Sequence, residues 1–130
     1  MNPKHHTSLK IAKQLVEAGI VIESESQWEV GGKLSGKQNA TLVLRNRPPS
    51  FVSADSAWSF YPAPIATEIM EWFPRGYDFG FELIKLGEGY GAICKDYRVM
   101  PYKRIGFEKD DNASDALALL LIRLTKDGLM

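Results

Sequence analysis

The chain has 130 residues, which suits a single domain, and at this length about two thirds of the unfolded surface can be buried without a metal or a disulfide. Its 16 Lys and Arg residues balance its 16 Asp and Glu residues. This balance argues against strong sequence-independent binding of nucleic acid but leaves a local basic patch open. The one cysteine, Cys94, excludes an intramolecular disulfide and favours a cytoplasmic protein.

The two segments nearest to a targeting or membrane signal both lack its defining feature. Residues 1–6 are polar and have no apolar core of the kind a signal peptide needs. The longest apolar run, 116–122, is too short to cross a bilayer. We therefore expect one soluble domain over residues 1–130, with residues 1–6 as a flexible tail and with no membrane partner.

The first part of the chain predicts a helix followed by antiparallel strands. A helix is expected over residues 7–18, with the hydroxyl of either Thr7 or Ser8 capping its first turn and with apolar side chains along one face. Residues 20–30 then alternate between apolar and polar, as in one strand or two short strands. The short apolar run 41–44 is the expected antiparallel partner.

A long loop is expected at residues 47–63, which begins and ends near prolines and carries several aromatic residues. A loop of this length inside a compact domain is usually either functional or mobile. Trp58, Phe60 and Tyr61 are candidate anchors of a protein interface. The alternative is that these rings fold back over the core as a lid.

The remainder predicts a helix, a three-stranded meander and a last helix. Pro64 is expected at the first position of the second helix, where its missing amide proton costs nothing. Residues 77–83, 90–97 and 102–107 alternate as three antiparallel strands. Asn112 then caps a helix that is apolar nearly all round. The order α-β-β-α-β-β-β-α indicates an α+β fold in which a mostly antiparallel sheet packs against helices, as in a sandwich.

Four stretches carry a family resemblance. They are residues 12–19 before an Ile-rich strand, Ser26-Gln27-Trp28, the segment 61–64 that opens a helix ending in Glu71-Trp72-Phe73, and residues 115–122. The arrangement resembles small uncharacterised proteins of bacterial genomes and bacteriophages, of the kind grouped with the phage α-β-α sandwich domains. The resemblance implies a compact sandwich and a phage or prophage origin. It carries over no catalytic residue.

Three motifs of a kind used in catalysis or ligand binding have stronger structural interpretations. The glycine-rich segment 87–91 is flanked by predicted strands, which indicates a tight hairpin and not a phosphate-binding loop. His5 and His6 have no further ligands at a recognisable metal spacing. Cys94 falls on a strand with no nearby histidine in sequence to act as its base, which is typical of a buried apolar residue. We expect no catalytic residue, no metal and no cofactor, and hence a non-enzymatic protein.

The segment 95–104 interleaves four basic residues with two tyrosines. Its candidate nucleic-acid contacts are Lys95, Tyr97, Arg98, Tyr102, Lys103 and Arg104. Aromatic rings can stack on bases while Arg and Lys bind phosphates. The alternative is an exposed hairpin whose charges prevent a sheet edge from pairing with another molecule.

Two functions follow from these patterns. The first is a small binding or interaction protein that engages an unknown protein partner or forms a homodimer. The second is an accessory protein that binds nucleic acid through residues 95–104, which the zero net charge disfavours.

Overall fold

The structure is a computed structural model, and it describes residues 2–31, 39–44, 59–74 and 76–129. A short 3-10 helix, Pro3–His5, precedes the main elements. The α-helices are α1 (Leu9–Glu17), α2 (Ala66–Met70) and α3 (Ala113–Lys126). The strands are β1 (Ser26–Gly31), β2 (Asn39–Leu44), β3 (Ser59–Pro62), β4 (Phe79–Leu86), β5 (Gly89–Asp96) and β6 (Lys103–Asp110).

The predicted α+β class and the predicted order of helices and strands are confirmed, with β3 added between β2 and α2. The strands form two antiparallel sheets of three strands each, in the orders β2-β1-β3 and β4-β5-β6. We call these the first sheet and the second sheet. The second sheet is the predicted meander, with Gly87 in a left-handed conformation (φ +50°) at the first turn.

The expectation of a loop over residues 47–63 is wrong at its C-terminal end. Residues 59–62 form β3, in which Ser59 pairs with Val30 and Pro62 pairs with Gln27. The aromatic residues of this segment therefore gain a ladder of hydrogen bonds with β1, which a local reading of prolines and rings does not reveal. The rest of the expected loop, including Trp58, lies outside the described residues.

Helix α3 packs on one face of the second sheet and forms the centre of the core. Leu117, Leu120 and Leu124 are almost completely buried. A Cβ atom added to Gly106 of β6 would lie 2.8 Å from Cδ1 of Leu120. Glycine at this position therefore lets α3 approach the sheet closely, and α1 and α2 pack in turn against α3.

Two of the three predicted helix starts agree with the structure, and the third does not. The Ser8 hydroxyl accepts a hydrogen bond from the Ile11 amide at 3.4 Å, and Asn112 caps α3 as predicted. The prediction that Pro64 opens the second helix is wrong, because α2 begins at Ala66. Pro64 lies just before the N-cap, and its carbonyl oxygen accepts a hydrogen bond from the amide of Thr7 at 3.0 Å.

Residues 1–6 were expected to form a flexible tail, and in the part that the structure describes, residues 2–6, this segment makes hydrogen bonds to the start of α3. The Ser114 hydroxyl donates to the carbonyl oxygen of His5 at 2.7 Å, and the Asn112 side-chain amide donates to that of His6 at 2.6 Å. His6 is buried. The polar start of α3 thus holds the N-terminal segment, a long-range relationship that a polar composition does not predict.

Candidate functional site

The second sheet has two faces of different chemistry. Ala92 and Cys94 of β5 lie in the hydrophobic core beneath α3, so alternate residues of the strand project from the opposite side. We call that side the outer face. Its members, taken from the strand registers, are Gly80, Glu82, Ile84 and Leu86 on β4, Gly91, Ile93 and Lys95 on β5, and Arg104, Phe107 and Lys109 on β6.

A β-bulge decides which β6 side chains reach the outer face. Cys94 pairs with Gly106 whereas the next residue, Lys95, pairs with Arg104, so Ile105 is the extra residue on β6. The bulge places Arg104 and Phe107 on one face although they are three positions apart. The Arg104 guanidinium lies over the Phe107 ring, with its Cζ atom 5.2 Å from the ring centroid.

Two tyrosines extend the outer face at the end of the β5–β6 hairpin. The ring centroids of Tyr97 and Tyr102 are 5.9 Å apart, at an interplanar angle of 59°. Tyr97 lies against Gly80, where an added Cβ atom would be 2.5 Å from Cε2 of the tyrosine ring. A side chain at position 80 would therefore displace this ring. The two tyrosines remain 43% and 49% exposed, which leaves ring surface available to a ligand.

Lys95 connects these rings to a carboxylate on the neighbouring strand. Its Nζ atom lies 4.8 Å from the centroid of the Tyr102 ring and 2.9 Å from Oε1 of Glu82. The hydrogen bond from Lys95 to Glu82 is the main cause of a raised pKa of the lysine ammonium. Lys95 is therefore cationic over the whole neutral range, and it is held above the ring.

Arg98 and Lys103 belong to a different part of the hairpin. The Arg98 guanidinium makes two hydrogen bonds of 3.0 Å to the carboxylate of Asp96 and stacks 4.7 Å from the centroid of Phe79. Hydrogen bonding from Arg98 lowers the pKa of Asp96. Lys103 pairs with Asp96 across β5 and β6, on the side opposite to Arg104.

Four of the six residues that the sequence nominated therefore come together on the outer face. They are Lys95, Tyr97, Tyr102 and Arg104. Sequence reasoning missed Phe107 and Lys109, because strict alternation from residue 102 would place Phe107 on the side opposite to Arg104. The available signal was Gly106, since a glycine inside a strand often marks a bulge.

Phe60 and Tyr61, the candidate interface residues on β3, lie on opposite sides of that strand. Phe60 is 49% exposed, whereas its neighbour Tyr61 is half-buried. The Lys13 ammonium of α1 lies 5.7 Å from the centroid of the Tyr61 ring. Tyr61 thus packs towards α1, and Phe60 presents its ring to solvent from an edge strand.

Cys94 is a buried residue of the core, as predicted, with 1% of its surface exposed. Burial, with a smaller effect from the charge of Asp96, raises the pKa of its thiol to about 11. The thiol is therefore protonated near neutral pH and a poor nucleophile. Among the described residues, no group of three His, Cys, Asp or Glu side chains is placed to hold a metal ion.

No family model, curated protein or solved structure matches this chain. The resemblance to phage α-β-α sandwich domains stays a prediction. In the part of the chain that the structure describes, every helix is too short or too polar to span a bilayer.

Proposed function

We propose that this chain is a small non-enzymatic binding protein whose outer face binds single-stranded nucleic acid. The observation that carries the proposal is the meeting of two exposed tyrosine rings, one half-buried phenylalanine ring and three cations on one face of an antiparallel sheet. The rings are those of Tyr97, Tyr102 and Phe107, and the cations are Lys95, Arg104 and Lys109.

Both the aromatic rings and the cations of the outer face suit the binding of single-stranded nucleic acid. Splayed bases stack on aromatic rings, at about 1–3 kcal/mol per base, while cations along the same path take the phosphates. Gly80 and Gly91 leave room on the face for neighbouring side chains, Tyr97 over Gly80 and Phe107 with Leu86 over Gly91. An open sheet with aromatic residues on its surface is a recurrent platform for single-stranded recognition.

The charge of the outer face differs from that of the whole chain. The chain has no formal net charge, but the outer face carries three cations against one carboxylate, that of Glu82. Among the described residues, no carboxylate lies within ion-pair distance of Arg104 or Lys109. These two side chains are available to phosphate oxygens, which favours a weak and salt-sensitive affinity.

Fluorescence anisotropy with labelled single-stranded oligonucleotides tests the proposal. Binding is expected at low salt and should weaken as salt is added. Tyr102→Leu should weaken it by about tenfold, the cost of one stacked base. Tyr77→Leu is the matched control, because Tyr77 is 97% exposed and precedes β4. Absence of binding at low salt would contradict the proposal.

A second candidate function is self-association through β3. This strand is at the edge of the first sheet and carries the exposed Phe60 ring, and an exposed edge can pair with a strand of a second copy. Sedimentation of wild type and Phe60→Lys tests it. A concentration-dependent dimer that the substitution abolishes is expected, and a wild-type monomer at all concentrations would count against it.

A phage or prophage origin is a further part of the proposal. It rests on the family resemblance alone. The genes that neighbour this one in its genome would test it, since phage structural or replication genes on both sides are the expected context.

A further inference from the structure

We infer that a single strand bound to the outer face lies along β6, at the edge of the second sheet, and that Lys109 sets the length of strand that the face holds. This inference rests on the proposed function, because it names the path and the length class of the same ligand. It follows from where the rings and cations fall in the rows of the sheet.

The strand register divides the outer face into rows that cross all three strands. The rows are Gly80, Lys95 and Arg104, then Glu82, Ile93 and Phe107, then Ile84, Gly91 and Lys109. In every row the β6 position holds a cation or an aromatic ring, whereas the β4 position holds a glycine, a carboxylate or an isoleucine. A nucleic-acid strand that crossed the sheet towards β4 would therefore leave the cations and meet the carboxylate of Glu82. A strand that follows β6 keeps its contacts from row to row.

Rings and cations alternate along β6. Tyr102 is followed on the outer face by Arg104, Phe107 and Lys109. Bases and phosphates alternate in the same way along a nucleic-acid strand. Arg104 and Lys109 are two rows apart, which is about 14 Å at the rise per residue of an antiparallel strand. This distance corresponds to about four nucleotide steps at the spacing of a stacked strand.

The cationic path ends close to both ends of β6. After Lys109 the chain continues with Asp110 and Asp111, whose carboxylates repel phosphate. At the hairpin end, the guanidinium of Arg98 makes two hydrogen bonds of 3.0 Å to the carboxylate of Asp96, so its charge is already paired. A strand that stacks on the tyrosines at the hairpin end and reaches Lys109 is therefore about six nucleotides long.

A shorter strand should occupy the hairpin end of this path. The rings of Tyr97 and Tyr102 are exposed there, whereas the Phe107 ring is half-buried with the Arg104 guanidinium over it. A trinucleotide thus gains most from the two tyrosines and the cations beside them, and it does not reach Lys109. The contact with Lys109 is added only when the strand is long enough.

The experiment compares a dT trinucleotide with a dT octanucleotide, with affinities measured by NMR titration at one low salt concentration. Lys109→Gln should weaken binding of the octanucleotide several-fold, as expected for a lost phosphate contact, and leave the trinucleotide affinity unchanged. Arg104→Gln should weaken both. Lys85→Gln is the matched control and should weaken neither, because Lys85 is exposed on β4 but pairs with Tyr90 on the opposite face.

The backbone amide shifts in the same titrations report the path directly. The octanucleotide should shift the amides of β6 from Arg104 to Lys109 and leave those of β4 close to their positions in the free protein. Three results would overturn the inference while leaving the proposed function standing: equal losses for both lengths in Lys109→Gln, a loss for neither, or shifts of equal size along β4 and β6. Failure of wild type to bind either oligonucleotide would contradict the proposed function itself.

Discussion

The carboxylate of Asp115, in the first turn of α3, accepts a hydrogen bond from the backbone amide of Ser8 at 2.8 Å across 107 residues of chain. Ser8 is also the cap of α1. The starts of the first and last helices are therefore joined by one buried acid. Asn112 and Ser114 extend the same junction to the carbonyl groups of His6 and His5.

This junction predicts a clear stability effect for Asn112→Ala. The Asn112 side chain accepts from the amides of Ser114 and Asp115 and donates to His6. Loss of the cap should lower the free energy of unfolding by about 1–2 kcal/mol, with more lost from the unpaired carbonyl of His6. Urea denaturation measures the change. Asp111→Ala, at the exposed neighbouring position, should cost much less, and equal losses in the two variants would contradict the junction.

Asp115 should also make stability depend on pH. Burial raises the pKa of its carboxyl, and the hydrogen bonds from Ser8 oppose this only in part. Because the folded state then holds the proton more tightly than the unfolded chain, the group stabilises the fold below the ordinary carboxyl pKa of about 3.9. That stabilisation is lost as pH rises through the raised folded-state pKa.

The test of this pH effect is the difference in free energy of unfolding between Asp115→Asn and wild type. Asparagine can still accept from the Ser8 amide through its side-chain oxygen but does not titrate. The difference should increase in favour of the variant as pH rises from the unfolded-state pKa to the folded-state pKa. A difference that is constant over pH would show that Asp115 titrates alike in both states.

Gly106 should be intolerant of a side chain. An added Cβ atom would meet Cδ1 of Leu120 at 2.8 Å, and the core must shift to admit it. We expect Gly106→Ala to cost about 1–3 kcal/mol, as for overpacking of a well-packed core. The cost should be smaller when it is measured in a Leu120→Ala background, which provides space. Additive losses in a double-mutant cycle would contradict direct contact.

The thiol of Cys94 should be protected from modification while the protein is folded. A pKa of about 11 leaves about one thiol in a thousand ionised at pH 8. The apolar side chains of Phe79, Phe81 and Ile105 line a small pocket at this residue. Labelling by a thiol reagent should be slow in buffer and fast in urea. Rapid labelling of the folded protein would show that the strand opens.

Substitutions of Arg104 and Lys103 test whether oligonucleotide binding depends on the position of a charge or only on net charge. They are sequence neighbours of equal charge, but only Arg104 lies on the outer face. Arg104→Gln should weaken binding of single-stranded oligonucleotide several-fold and reduce its salt dependence, as expected when a phosphate contact is lost. Lys103→Gln should do neither. Equal effects would indicate that net charge alone governs binding.

The sequence predicted the elements whose signals are local. The hydroxyl of Ser8, the amide of Asn112 and the apolar run of the last helix located α1 and α3, since caps and periodicity are properties of neighbouring residues. The alternation over residues 20–30 was confirmed in burial from Ile20 to Ser26, but pairing begins only at Ser26. Hydrogen bonding to a distant strand decides that limit, and the segment itself does not encode it.

The outer face was predicted only in part for the same reason. The sequence indicated residues 95–104 as one basic and aromatic segment, but the division of these residues between two faces depends on the bulge opposite Lys95. Phe107 joined the site through that bulge. The hydrogen bonds that hold the N-terminal segment were missed because its partners, Asn112 and Ser114, are more than 100 residues away along the chain.

The bulge at Ile105 decides which side chains of β6 lie on the outer face. The strand carries two interleaved sets of side chains, one containing Tyr102 and Arg104 and the other containing Lys103 and Ile105. The extra residue determines which set reaches solvent. With the register of Phe107 kept, one further residue inserted between Arg104 and the bulge would turn Tyr102 and Arg104 to the core side, whereas deletion of Ile105 would leave a regular ladder with the same residues outside. The composition of the outer face therefore depends on agreement between the number of residues that separate Arg104 from Phe107 and the presence of the bulge.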